Sequence, residues 1–188
     1  MNRQLLIEYE ARIAPLIKKI LDTVKKEFVF TPTLLGDHSD TAQERARVAF
    51  HQKQIKMKEG DIGQIMIGNW IGWEDLGIGH PTKLDNRKID NTCIMELKNN
   101  YNTCNSGSRT SVLNNLAKYK KENLATDCIF GMLNPKKNQR VLRKRIIHNG
   151  VEIIELYGEE LLDYVFTHNS YNYKKEVIEI VRRNMYEN

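Results

Sequence analysis

At 188 residues, 40% hydrophobic and 28% charged, the chain is long enough to bury a real core and is expected to form one domain. No window approaches the roughly 18 consecutive apolar residues of a membrane span, and the start, MNRQLLIEYEARIAPLIKK, is charged throughout with no apolar signal region. Cys93, Cys104 and Cys128 form no CxxC pair and cannot all be disulfide-bonded within the chain, so a reduced, cytoplasmic protein is expected and a structural zinc site is not.

In the first 27 residues, Leu5, Leu6, Tyr9, Ile13, Leu16, Ile17, Ile20, Leu21 and Val24 recur at helical spacing, and Pro15 predicts a kink or the first turn of a second helix. A loop with Pro32, Gly36 and Asp37 follows. The next helix is expected to open on a capping box of Thr41 and Glu44 and to stop at Gly60. A further short helix is expected over residues 62–70, with Trp70 and Trp73 as core aromatics. The period then changes, with strands expected at residues 83–85 and 92–98 around a polar turn. NNYNTCNSGSR reads as a polar loop, TSVLNNLAKYKK as a helix and DCIFGML (residues 127–133) as a buried strand. KKNQRVLRKR, residues 136–145, holds six basic residues and no acid, and reads either as a solvated face or as a phosphate-contacting patch. HNGV within residues 146–156 predicts a tight hairpin. GEELLDYVF and YNYKKEVIEIVRRNM read as closing helices. The expected fold class is α/β or α+β, a short mixed sheet flanked by helices. N-terminal helices take up residues 1–60, the core 61–166 and a last helix 170–186, with the two terminal helices as candidate dimer contacts.

CIMELKNN (residues 93–100) puts charges inside an apolar strand. Residues two apart on a strand share a face, so Ile94, Glu96 and Lys98 are expected on one side and Cys93, Met95 and Leu97 on the core side. An arbitrary E-x-K is usually a surface ion pair, so the context matters. Upstream stands GNWIGWEDLGIGHPTKLD, and an Asn-rich loop follows the ELK.

This order of helix, polar segment, Asp, hairpin and ELK resembles the PD-(D/E)xK nucleases. GNWIGWEDLGIGHPTKLD, IMELKNNYNTCNSGSRTSVLNNLAKYKK and IIHNGVEIIELYGEELLDYVF resemble, more closely, type II restriction endonucleases that cut at GGNCC-centred sites. The likeness covers roughly residues 44–166. Leu84 precedes Asp85 where the strict motif has proline, and Lys83 stands where relatives tend to carry glycine.

The resemblance implies that Asp85 and Glu96 bind Mg2+, with the Leu97 carbonyl as a possible third ligand, and that Lys98 serves the attacking water. Magnesium wants oxygen ligands and keeps waters of its own, and an arginine could not act as the base. If the hairpin turns at Asp90-Asn91, Asp85 lies directly opposite Glu96, while Asp90 is turn chemistry and too far away. Glu44 and Glu74 are candidates for an additional metal contact, although each also reads as plain surface; the five histidines show no HxxxH or HExxH spacing, and His80 near the site reads as structural.

Double-stranded DNA is the implied partner. Arg109 is the candidate base reader, and Asn99, Asn100, Asn102 and Ser106 are candidates for placing the backbone. Lys136, Lys137, Arg140 and Lys144 are candidates for phosphate contact. A homodimer on a palindromic site and a companion methyltransferase complete the expectation. A non-catalytic DNA-binding module on the same scaffold and a repair or junction nuclease are the alternatives.

Overall fold

The computed structural model describes residues 1–24, 39–77, 79–101, 106–124 and 126–186. The loop at Pro32–Asp37, Asn102 and Cys104 lie outside the described residues.

The N-terminal stripe forms one continuous helix, α1 (Arg3–Asp22), with Pro15 inside it rather than at the start of a second helix. The next helix, α2 (Asp40–Gly68), also runs longer than expected and passes through Gly60. Its second half lays Ile62, Met66 and Ile67 into the core, and that burial outweighs the roughly 1 kcal/mol cost of an interior glycine. Its cap is Ser39, whose hydroxyl accepts the Ala42 amide at 3.2 Å. Glu44 binds Arg47 instead of closing a box with Thr41. The helix ends at Gly68, where a β-carbon would come within 2.6 Å of the Asp75 backbone nitrogen.

A short strand that the sequence did not announce, β1 (Trp73–Asp75), comes next. It is followed by β2 (Asn86–Lys88), β3 (Cys93–Asn100), α3 (Ser106–Glu122) and β4 (Asp127–Asn134). After a 3-10 turn at Lys137–Gln139 come β5 (Val141–His148), β6 (Val151–Gly158) and α4 (Glu159–Phe166). A two-residue pair, β7 (Thr167–His168) with β8 (Tyr171–Asn172), leads into α5 (Lys174–Tyr186). The hairpin between β5 and β6 turns on Asn149 and Gly150, both at positive φ, as the Asn-Gly signal requires.

The six-stranded sheet has the order β1-β2-β3-β4-β6-β5. β3, β4 and β6 run parallel in its middle, and the outer strands are antiparallel. A mixed sheet flanked by helices is the expected fold class. One face is covered by α1, α2, α4 and α5 around Tyr9, Trp70 and Phe166. The other is covered by α3 through Val112, Leu113, Leu116 and Ala117. Trp70 and Trp73 are buried, as expected. The apolar stripes of α1 and α5 are also spent on this core, so a dimer contact at either helix would have to use its remaining surface.

Two expectations for the middle of the chain change. Residues 83–85 are not a strand, because His80 and Thr82 tie the backbone into a turn. The Lys83 amide donates to the His80 carbonyl at 2.9 Å, and the Leu84 amide donates to the Thr82 hydroxyl at 3.3 Å. Such local bonds compete with a ladder. Lys83 takes the left-handed conformation at φ 56°, so this chain keeps a glycine-like bend without glycine. The second change concerns β3, which lies in the interior of the sheet. Ile94 is fully buried under α3 instead of sharing an open face with Glu96. Both faces of β3 are covered through Leu97, and only its last three residues are partly exposed.

Candidate active site

β3 ends among polar neighbours. Asp85 stands immediately before β2, whose ladder pairs Asn86 with Met95 and Arg87 with Ile94. Those pairs sum to the constant that the hairpin register predicts, but the ladder stops one residue short of Asp85. Its amide donates to the Met95 carbonyl at 3.0 Å, and its Oδ2 accepts the Leu97 amide at 2.7 Å. These two bonds bracket Glu96. The N–H and C=O of one strand residue project to the same side, so the Leu97 carbonyl faces the Asp85 side as well.

Glu96 is only 7% exposed. Its Oε1 accepts Lys98 Nζ at 2.6 Å, while its Oε2 is buried with no hydrogen-bond partner. Burial pushes the Glu96 carboxyl up to about 7, the Asp85 charge pushes the same way, and Lys98 opposes both. Asp85 is also raised, by burial first, against the pull of the Leu97 amide and Lys98, with Asp75 adding to the rise. Two buried carboxyls that both resist ionisation, one of them with an orphaned oxygen and pushed further by the other's charge, form a donor set suited to a hard cation. Among the described residues no group of three or more His, Cys, Asp or Glu side chains could hold a metal, so a cation here would rely on main-chain oxygen and water for its remaining ligands.

Asp90 lies in the turn, accepting both the amide and the hydroxyl of Thr92 at 3.0 and 2.7 Å. Glu44 pairs with Arg47 on exposed α2 surface. Glu74 pairs with Arg87 across β1 and β2. His80 bonds Thr82, a structural use.

The other candidates spread along the same end of the sheet. Asn99 accepts the Asn134 side-chain amide at 2.7 Å, and Asn100 pairs with Asn134 in the ladder. Ser106 opens α3, which begins earlier than expected and takes Arg109 into its first turns. Lys136 lies 5.4 Å from the Tyr101 ring centre, beside the end of β3. Lys137 belongs to the 3-10 turn, Arg140 ends it, and Lys144 faces Glu155 across β5 and β6.

Arg109 pairs with Glu155, a buried residue of β6 that the sequence reading passed over. The signal was present: IIEL (residues 153–156) repeats the pattern of IMEL (residues 94–97), an acid inside an apolar strand.

No curated protein is similar enough to the chain to count as a match. A family model, the Eco47II restriction endonuclease, matches residues 8–155, about four fifths of the chain. That span takes in Asp85, Glu96, Lys98 and, at its end, Glu155, and the chain therefore belongs to the Eco47II restriction endonuclease family, among the type II restriction enzymes.

Proposed function

We propose that this restriction enzyme is a Mg2+-dependent endonuclease that cuts double-stranded DNA at a short palindromic, GGNCC-like site. The observation that carries the metal requirement is the buried, unpartnered Oε2 of Glu96 beside Asp85. A pure binding module has no use for two carboxyls where phosphates approach, since without a cation they repel DNA.

Asp85, Glu96 and the Leu97 carbonyl are the residues that would hold the cation. When bound, it would neutralise phosphoryl charge and lower the pKa of a water. The chain's own part is to place the water and hold the DNA. Lys98, with its ammonium against Glu96, holds the attacking water or helps deprotonate it. Hydrolysis joins the water oxygen to phosphorus and breaks the bond to one sugar oxygen, which leaves with a proton. The Leu97 amide fixes the Asp85 carboxylate, so that residue needs little rearrangement.

Arg109 reads a base. Asn99, Asn100, Asn102 and Ser106 place the backbone beside it, and Lys136, Lys137, Arg140 and Lys144 neutralise phosphates. One active site serves one strand, so a palindrome calls for a homodimer, and a methyltransferase acting on the same site would protect the host's DNA. Incubation with mixed-sequence duplex DNA, with Mg2+ and with chelator, tests the proposal. Discrete fragments only with Mg2+ are expected; no cleavage in either lane would favour a non-catalytic binding module.

A further inference from the structure

A carboxylate buried in a sheet is costly unless a cation meets it, so Glu155 calls for a reason. Its side chain is 5% exposed, whereas its partner Arg109 keeps 42% of its side chain exposed. Tyr157 donates its hydroxyl to the same Oε1 at 3.2 Å. The guanidinium carbon lies 5.9 Å from the centre of the Phe130 ring. Phe130 in turn meets Tyr157 edge-on at 5.9 Å. Side chains from two adjacent parallel strands thus grip one arginine from a helix. A plain core ion pair would bury both partners, but here the anchor is buried and the held group is open. The guanidinium fork has more donors than these partners take.

Position adds to this. Glu96, Phe130 and Glu155 are register partners across β3, β4 and β6. At about 4.8 Å per strand, Glu155 stands roughly 10 Å from Glu96 along one face of the sheet. Since stacked base pairs rise about 3.4 Å, that span covers about three of them.

We infer that Glu155, with Tyr157 and Phe130, is a positioning residue for sequence specificity. It fixes the Arg109 fork against a guanine edge within about three base pairs of the cleaved bond. This inference rests on the proposed reading of the chain as a DNA-cutting enzyme. A free arginine loses side-chain entropy on binding, whereas one already held by a carboxylate and a ring has lost it beforehand. Guanine O6 and N7 offer the paired acceptors that such a fork recognises.

Selection of bound duplexes from a random pool, with Ca2+ replacing Mg2+, tests it without knowledge of the site. The wild type should enrich a motif containing G, and Glu155→Gln should enrich the same motif with one symmetric pair of positions degenerate. Preference at that base should fall about tenfold or more. Arg109→Lys, which keeps a charge for Glu155 but loses the fork, should degrade the same positions, so the test survives if Glu155→Gln fails to fold. A purely structural pair would weaken every sequence alike and leave the motif intact, and that outcome overturns the inference. So does a wild type that enriches no motif. Mg2+-dependent cleavage by the wild type is scored separately: cutting with an unaltered motif in both variants removes this inference and leaves the nuclease reading standing. A motif bound without cutting removes the nuclease reading, while the variants still decide the role of Glu155.

Discussion

Two strands of the sheet carry the same oddity and resolve it differently. Glu96 in IMEL and Glu155 in IIEL are both buried acids on parallel strands, register partners of the same Phe130. Glu155 meets an arginine and a tyrosine hydroxyl. Glu96 meets one lysine on one oxygen, leaves the other orphaned, and sits against a second carboxyl. A satisfied acid can hold its partner in a fixed pose, whereas an unsatisfied one beside another acid is suited to receiving a cation. The pattern in the chain is common to both; the surroundings separate them.

The largest effect expected from this contrast is on cleavage. Asp85→Asn and Lys98→Ala should each lower the Mg2+-dependent rate by roughly a thousandfold, while Asp90→Asn, in the turn, should cut normally. Lys98→Ala should retain specific DNA binding, because binding rests on many other contacts. Rates and binding isotherms for the three variants check this, and normal cutting by Asp85→Asn would dissolve the site.

Stability should move the other way. Arg109→Ala strands the buried Glu155 and should cost about 3 kcal/mol. Lys98→Ala should cost less than about 1 kcal/mol, since a Glu96 carboxyl already raised to about 7 can protonate when its partner is lost. Urea melts of both variants at neutral pH would break the comparison if the costs came out equal.

Proton linkage sharpens it further. The Glu96 carboxyl is raised from 4.5 to about 7, so the folded chain holds a proton there that the unfolded chain has released. Stability of the metal-free protein should therefore fall as pH rises from about 4.5 through about 7, by on the order of 3 kcal/mol. A Mg2+ ion held by Glu96 would displace that proton, so the gain in Tm on adding Mg2+ should be larger at pH 8 than at pH 5.5 and should vanish in Glu96→Gln. An equal gain at both pH values would count against Glu96 as a ligand.

Smaller effects are expected on the basic segment beside the Glu155 strand. Neutralising Lys136, Lys137, Arg140 or Lys144 singly should weaken binding to all DNA alike and lower the salt slope by about one unit. A variant with an unchanged slope would return its residue to plain surface. The smallest effect lies on the approach to Asp85. The Glu155 strand is entered through Asn149 and Gly150, residues at ease with positive φ, whereas Lys83 takes φ 56°. Lys83→Gly should stabilise by roughly 0.5–1 kcal/mol, the relief of the left-handed bend less the added freedom of the unfolded chain. A loss of stability would mean that the lysine side chain contributes a contact of its own.

The sequence by itself determined what depends on near neighbours. The two-residue repeat put Glu96 and Lys98 on one side of a strand, the Asn-Gly pair turned a hairpin, and the numbering of Asp90-Asn91 set the register that brings Asp85 beside Glu96. Only the tertiary structure decided the rest. α2 ran through Gly60 because the sheet received its far end, and residues 83–85 left the ladder because His80 and Thr82 bound their backbone. Ile94 vanished under α3, Arg109 found Glu155 46 residues away, and Glu96 kept an oxygen with no partner. Strand and turn geometry is set by bonds within a few residues, which a sequence carries openly. Burial and pairing depend on which layers meet across the sheet, and those contacts come from chain segments far apart in the sequence.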